Sequence, residues 1–150
     1  MIKNFLRIFL FAILIVSCGY SPMYSKKNLG SFSIQKLTLD GDSDVNKIIK
    51  NKLRRYIKQS DENGFLVETN TYYKKKSLTK DTTGNTTKYE ILIKANFIIK
   101  SNKETKDFAI TEVAIMKSFE NKFDESQYEK TIKNNLSSLI SDKLIIRLQN

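Results

Sequence analysis

Tyr89, Ile91, Ile93, Ala95, Phe97 and Ile99 occupy every second position of one segment, the clearest pattern in this 150-residue sequence. An apolar alternation of that length is a β-strand with one covered face. A lone strand cannot bury that face, so the chain must form a sheet and place something against it. The same period of two runs through Phe65, Val67, Thr69, Thr71 and Tyr73, and the polar stretch from Lys80 to Lys88, with Asp81, Gly84 and Asn85, predicts the hairpin tip between the two strands. A second polar tip from Ser101 to Asp107 leads to a third strand, Phe108 to Lys117, whose facing the pattern leaves open. These three strands predict an antiparallel meander.

Helical spacing flanks the meander on both sides. Val45, Ile48, Ile49, Leu53, Tyr56 and Ile57 recur at intervals of three and four between lysines and arginines, predicting an amphipathic helix that ends near Ser60. Asp40, Asp42 and Asp44 offer caps for its start. Before it, Phe32, Ile34, Leu37 and Leu39 predict a short strand with imperfect alternation. After the meander, Tyr128, Ile132, Leu136, Leu139, Ile140, Leu144 and Leu148 predict a long final helix, with Asp124 and Gln127 as a capping box. The expected fold is therefore an α+β two-layer sandwich, a four-stranded mostly antiparallel sheet with two helices packed on one face, in the order β-α-β-β-β-α.

The first thirty residues have a different character. Lys3 and Arg7 precede a short apolar run from Ile8 to Val16, the length of a signal peptide and well short of the roughly 20 residues of a spanning helix. Ile15, Val16, Ser17 and Cys18 then form a lipobox, which makes residues 1–17 a lipoprotein signal peptide and Cys18 the lipidation site. Several acyl chains on that residue would form a stable membrane anchor. Cys18 is the only cysteine, so no disulfide is expected. Residues 18–30 contain the only proline, Pro22, and predict a tether, leaving 31–150 as a single domain.

The available chemistry is narrow. The chain has no histidine, and its one cysteine is assigned to lipid, so the commonest general base and the commonest zinc ligands are missing. Asp40, Asp42 and Asp44 suit capping, and Asn51 stands where a calcium loop starting at Asp40 would need glutamate. No glycine-rich phosphate cradle is present. The expectation is a protein that is not an enzyme and uses no metal or cofactor.

What remains is charge. The formal net charge is +10, and in an exported protein the polyanions at hand are phosphorylated lipids and acidic proteins rather than nucleic acid. Tyr72, Tyr73, Lys74, Lys75 and Lys76 form the densest aromatic and basic cluster, which suits either an edge strand guarded against aggregation or a ligand surface. On the nominal solvent face of the best strand, Leu92 and Ile98 accompany Lys94 and Asn96. If they join Tyr72 and the tether residues Tyr20 and Tyr24, they form a partner surface.

The run Cys18, Gly19, Tyr20, Ser21, Pro22, Met23, Tyr24 resembles the Cys-Gly-aromatic-x-Pro-Leu-Tyr opening of the LPS-assembly lipoproteins, the LptE family, in its alphaproteobacterial form. Met23 stands where leucine is usual. The likeness continues through the strand Phe32 to Leu39, its cationic helix, and the C-terminal run from Ser141 to Leu148. The resemblance implies an outer-membrane lipoprotein seated in the lumen of an LptD-like β-barrel, which it plugs and helps to assemble while contacting lipopolysaccharide. On that reading the candidate lipid-contacting residues are Lys74, Lys75 and Lys76, with Lys94. A generic envelope scaffold or pilotin-like lipoprotein is the alternative.

Overall fold

The structure, a computed structural model, describes residues 32–149. The signal peptide, the lipidation at Cys18, and Tyr20 and Tyr24 of the tether lie outside the described residues.

Strand β1 (Ile34–Gly41) is followed by helix α1 (Ser43–Leu53), a 3-10 turn (Arg54–Tyr56), strands β2 (Phe65–Lys80), β3 (Thr86–Lys100) and β4 (Thr105–Lys117), and helix α2 (Lys122–Gln149). The element order is the one expected from periodicity. The sheet runs β1-β2-β3-β4. The β2-β3 and β3-β4 pairs are antiparallel, and β1 lies parallel to β2 across the α1 crossover.

The imperfect alternation of β1 has a definite cause. Ile34 pairs with Phe65 and Lys36 with Leu66, so one residue is inserted between them as a bulge. Ile34 is fully buried ahead of the bulge, and Leu37 and Leu39 pack against the core beyond it. Without the insertion, one of these two sets would point to solvent.

Asp42 caps α1: its carboxylate accepts hydrogen bonds from the N–H groups of Asp44 (3.1 Å) and Val45 (3.0 Å). The helix buries Val45, Ile49 and Leu53 and then stops, well before Ser60. It tightens into the 3-10 turn, which brings Tyr56 in to stack on Phe32 with ring centroids 4.5 Å apart. Ile57 is already extended and bridges to Ile34. For α2 the expected Asp124 box is replaced by Asn121, whose side chain accepts from Phe123 N–H at 2.9 Å and whose carbonyl accepts from Glu125 N–H at 3.1 Å. Helix α2 thus begins at Lys122.

The core lies between one face of the sheet and the two helices. Val67, Ile91, Ile93 and Phe97 from the sheet meet Val45, Ile49, Ile140 and Leu144 from the helices. Tyr128 and Leu139, placed on the buried stripe of α2 by spacing, are instead about half exposed, at 46% and 47%. Strand β4 settles its facing through its register with β3: Ile110 and Met116 are buried, while Val113 and Ile115 point away from the helices.

Candidate functional site

The sheet face not covered by helices is the candidate site, and β-sheet register fixes its layout. Tyr72 lies beside Lys94, Lys74 beside Leu92, and Lys76 beside Glu90; across the next strand pair, Leu92 lies beside Val113 and Glu90 beside Ile115. Neighbours in a row share a face, and cross-strand side chains are within contact reach. Leu92, Val113 and Ile115 therefore form an apolar strip, with Tyr72, Lys74 and Lys76 along its β2 side and Lys94 next to Leu92 on β3. Lys88 and Lys117 close the row beyond it, directly opposite one another.

This face is electrically lopsided. From Lys94 at mid-sheet to the end near the Asp81–Asn85 turn, Lys74, Lys76, Lys88, Lys94 and Lys117 are all exposed, and among the described residues none of them forms an ion pair. Glu90 is the carboxylate set among them. At the other end the charges are matched, with Glu68 and Lys100 joined at 2.7 Å and Asp107 close by. Ile98 sits at that balanced end, between Glu68 and Asp107 and three side-chain rows from Leu92. The expected apolar surface thus contains Leu92 and Tyr72 without Ile98.

Lys75 is separated from its two sequence neighbours. Strand alternation turns it to the covered face, where its ammonium group bonds Glu129 at 2.7 Å and Glu125 at 3.1 Å and lies 4.2 Å from the centre of the Tyr89 ring. Burial opposes its charge, but the two carboxylates outweigh that effect and hold its pKa above the ordinary lysine value. The Tyr73 hydroxyl donates to Glu129, and burial together with that carboxylate pushes the phenol well above its usual range. Glu125 would be raised by burial, yet the Phe119 N–H, Lys75, Lys122 and Ser118 bring it down to about 2. The group pins the first turns of α2 to β2. Of the four candidate lysines, Lys74, Lys76 and Lys94 share the open face and Lys75 does not.

No protein-family model and no curated protein matches this sequence. Solved structures do match in shape. The rare lipoprotein B from Shewanella oneidensis superposes with a TM-score of 0.59 at 16% identity, covering 75% of this chain and 91% of that one. An uncharacterized lipoprotein B from Nitrosomonas europaea gives 0.55 at 7% identity, covering 77% and 83%. The domain has the lipoprotein B fold.

Within this lipoprotein B fold, two features of the faces escaped sequence reasoning. Val113 and Ile115 were hidden because β4 is apolar at both parities, and only its register with β3 separates inside from outside. Glu125 and Glu129 carried a usable signal. They continue the Ile132, Leu136, Ile140 stripe toward the helix start at spacings of four and three, and carboxylates on a buried stripe require cationic partners.

Proposed function

We infer that this chain is an envelope lipoprotein of the LPS-assembly type, anchored through Cys18, that seats in an LptD-like outer-membrane β-barrel and contacts lipopolysaccharide through Lys74, Lys76 and Lys94. The lipobox, the Cys18–Tyr24 opening and the lipoprotein B fold support the class. The observation that carries the ligand is the juxtaposition of unpaired ammonium groups with the Leu92, Val113 and Ile115 strip. Lipid A presents phosphates beside acyl chains, and charge-assisted hydrogen bonds from lysine suit the phosphates while the strip suits the chains.

Position adds to this. Ile34 pairs with Phe65 at the start of β2, whereas Lys74 and Lys76 lie near its other end. At the strand's rise per residue the separation is roughly 30 Å, comparable to the hydrocarbon thickness of a bilayer. A domain that stands in a barrel lumen with the Ile34 end of its sheet toward the periplasm would therefore hold these lysines near the height of the outer leaflet.

The test is a mild-detergent pull-down of the tagged, lipidated protein with mass spectrometry, paired with LPS binding by the Lys74→Ala/Lys76→Ala/Lys94→Ala variant. A stoichiometric LptD-like barrel and weakened LPS binding support the reading. A secretin or other complex in place of the barrel replaces it with the scaffold or pilotin alternative, and unchanged LPS binding removes the lysines from the site.

A further inference from the structure

The segment from Lys47 to Lys58 holds six lysines and arginines and no carboxylate. Lys52 is matched by Asp142 of α2, but among the described residues Lys47, Lys50, Arg54, Arg55 and Lys58 form no ion pair. Strand β1 adds Lys36, also without an ion pair, at the same end of the sheet. There the Lys58 N–H donates to the Ile34 carbonyl at 2.9 Å, and Ile57 bridges to Ile34. Unmatched charge of one sign, gathered at one end of a domain, attracts polyanions.

A groove of about 660 Å³ opens within this region, between the bulged start of β1 and the chain leaving α1. Lys36 and Lys50 supply its ammonium groups, Gln35 and Gln59 its amides, and the half-buried Leu37, Ile57 and Leu66 its apolar wall. Among the described residues no carboxylate lines it. The cleft between α1 and α2 is different, since Asp44 and Glu129 stand there among the lysines. Guarding β1 against edge pairing accounts for Lys36. It does not account for Lys50, which comes from α1, or for the apolar wall. The volume is that of a small-molecule site. Ammonium and amide donors beside a short apolar wall suit a phosphodiester joined to the first methylenes of an acyl chain.

We propose that this groove holds the phosphate headgroup of an anionic phospholipid from the leaflet that carries the anchor. Phe32, the first described residue, stacks on Tyr56 at this end of the domain. Cys18 lies fourteen residues earlier, a reach of at most about 50 Å. A chain seated in a barrel lumen must leave at the periplasmic rim to reach its anchored residue, so the Ile34 end of the sheet stands beside inner-leaflet headgroups. Lys74 and Lys76 lie near the far end of β2, and the two cationic regions thus serve opposite leaflets. A docked headgroup fixes the height and turn of the domain against the membrane, which a single covalent anchor leaves open. The site rests on the Cys18 anchor of the reading above and needs neither lipopolysaccharide binding nor the lysines of the open face.

The experiment places the full lipidated chain in vesicles of phosphatidylcholine, alone or mixed equally with phosphatidylglycerol, with no barrel or lipopolysaccharide present. Cys18 is thioether-linked in that chain, so Ser60→Cys introduces its one reactive thiol for a fluorophore, and Thr82→Cys places one at the opposite turn. Headgroup-bound nitroxides should quench the label at 60 about twofold more in the mixed vesicles, with little change at 82. Lys36→Gln/Lys50→Gln should abolish that gain. Lys47→Gln/Arg55→Gln removes the same charge outside the groove and should keep most of it. Equal losses from the two pairs overturn the site, because diffuse attraction to the surface would then suffice. Reversal by inorganic phosphate, but not by chloride at equal ionic strength, also overturns it, by making the groove a site for a free anion. Mass spectrometry reports the acyl groups on Cys18. A chain without them overturns the anchor and the leaflet assignment together, whereas an acylated chain quenched equally in the two vesicles overturns the groove alone. If circular dichroism shows the double groove variant unfolded, Lys36→Gln alone, at an exposed position, takes its place.

Discussion

Lys75 Nζ and Glu125 Oε1 lie 3.1 Å apart beneath the first turns of α2, joining the middle of the sheet to the start of the last helix. Glu125 is held at about 2 against an ordinary 4.5, so the unfolded chain binds its proton more readily than the folded one. Its contribution is complete above about pH 4.5 and is lost as pH falls toward 2. Glu129 is lowered as well and acts with the same sign. The melting temperature should therefore hold steady from neutral pH down to about 5 and then drop steeply. Glu125→Gln should lose about 3 kcal/mol at pH 7 and show a shallower acid limb. An acid limb as steep as the parent's would remove Glu125 from this account.

Gly41 has φ +94° and sits against β2, where an added Cβ would come within 1.9 Å of the Thr71 carbonyl oxygen. Thr71 is itself held by hydrogen bonds from its hydroxyl to the Asp40 carbonyl (3.1 Å) and the Asn46 side chain (2.8 Å), so it cannot easily retreat. Gly41→Ala should cost about 3 kcal/mol or more. Gly84, at φ +88° with open space around it, supplies the comparison. Its alanine variant carries only the conformational penalty, about 1 kcal/mol. Urea titrations of the two variants measure the difference, and equal losses would mean that the Thr71 contact costs nothing.

Thr69 is 4% exposed on the covered face, and its hydroxyl has no hydrogen-bond partner among the described residues. The shape is nearly that of valine, without the need to strip water from an oxygen. Thr69→Val should stabilise the domain by about 1 kcal/mol. A loss of stability on the same titration would indicate a bound water at that oxygen.

The architecture was legible because its strongest signals are local. The alternation from Tyr89 to Ile99 and the three-four spacing of α1 and α2 depend on neighbours along the chain, and both reappear in the burial pattern. Failures came where a distant partner decides. Helix α1 ends early because Tyr56 is claimed by Phe32. The lysine run is the sharper example: if Phe65 to Tyr73 form the inward set, then Lys75 is inward as well, and Lys74 and Lys76 are outward. That inference needed only the period of two. It became convincing once Glu125 and Glu129, some fifty residues away, supplied the countercharge.

The single parallel pairing in the sheet also orders events in time. Strands β2, β3 and β4 meet through short turns, whereas the partners of β1 on β2 lie about 30 residues further along, beyond the whole of α1. The meander can assemble from hairpins alone, but Ile34 to Gly41 must wait for it to provide an edge. The N-terminal strand of the domain is thus its last recruit, and pulsed hydrogen exchange during refolding should find the amides of β1 protected after those of β3. For a chain that crosses a membrane N-terminus first, the leading segment emerges without a mate and completes the fold only after the later strands have followed it.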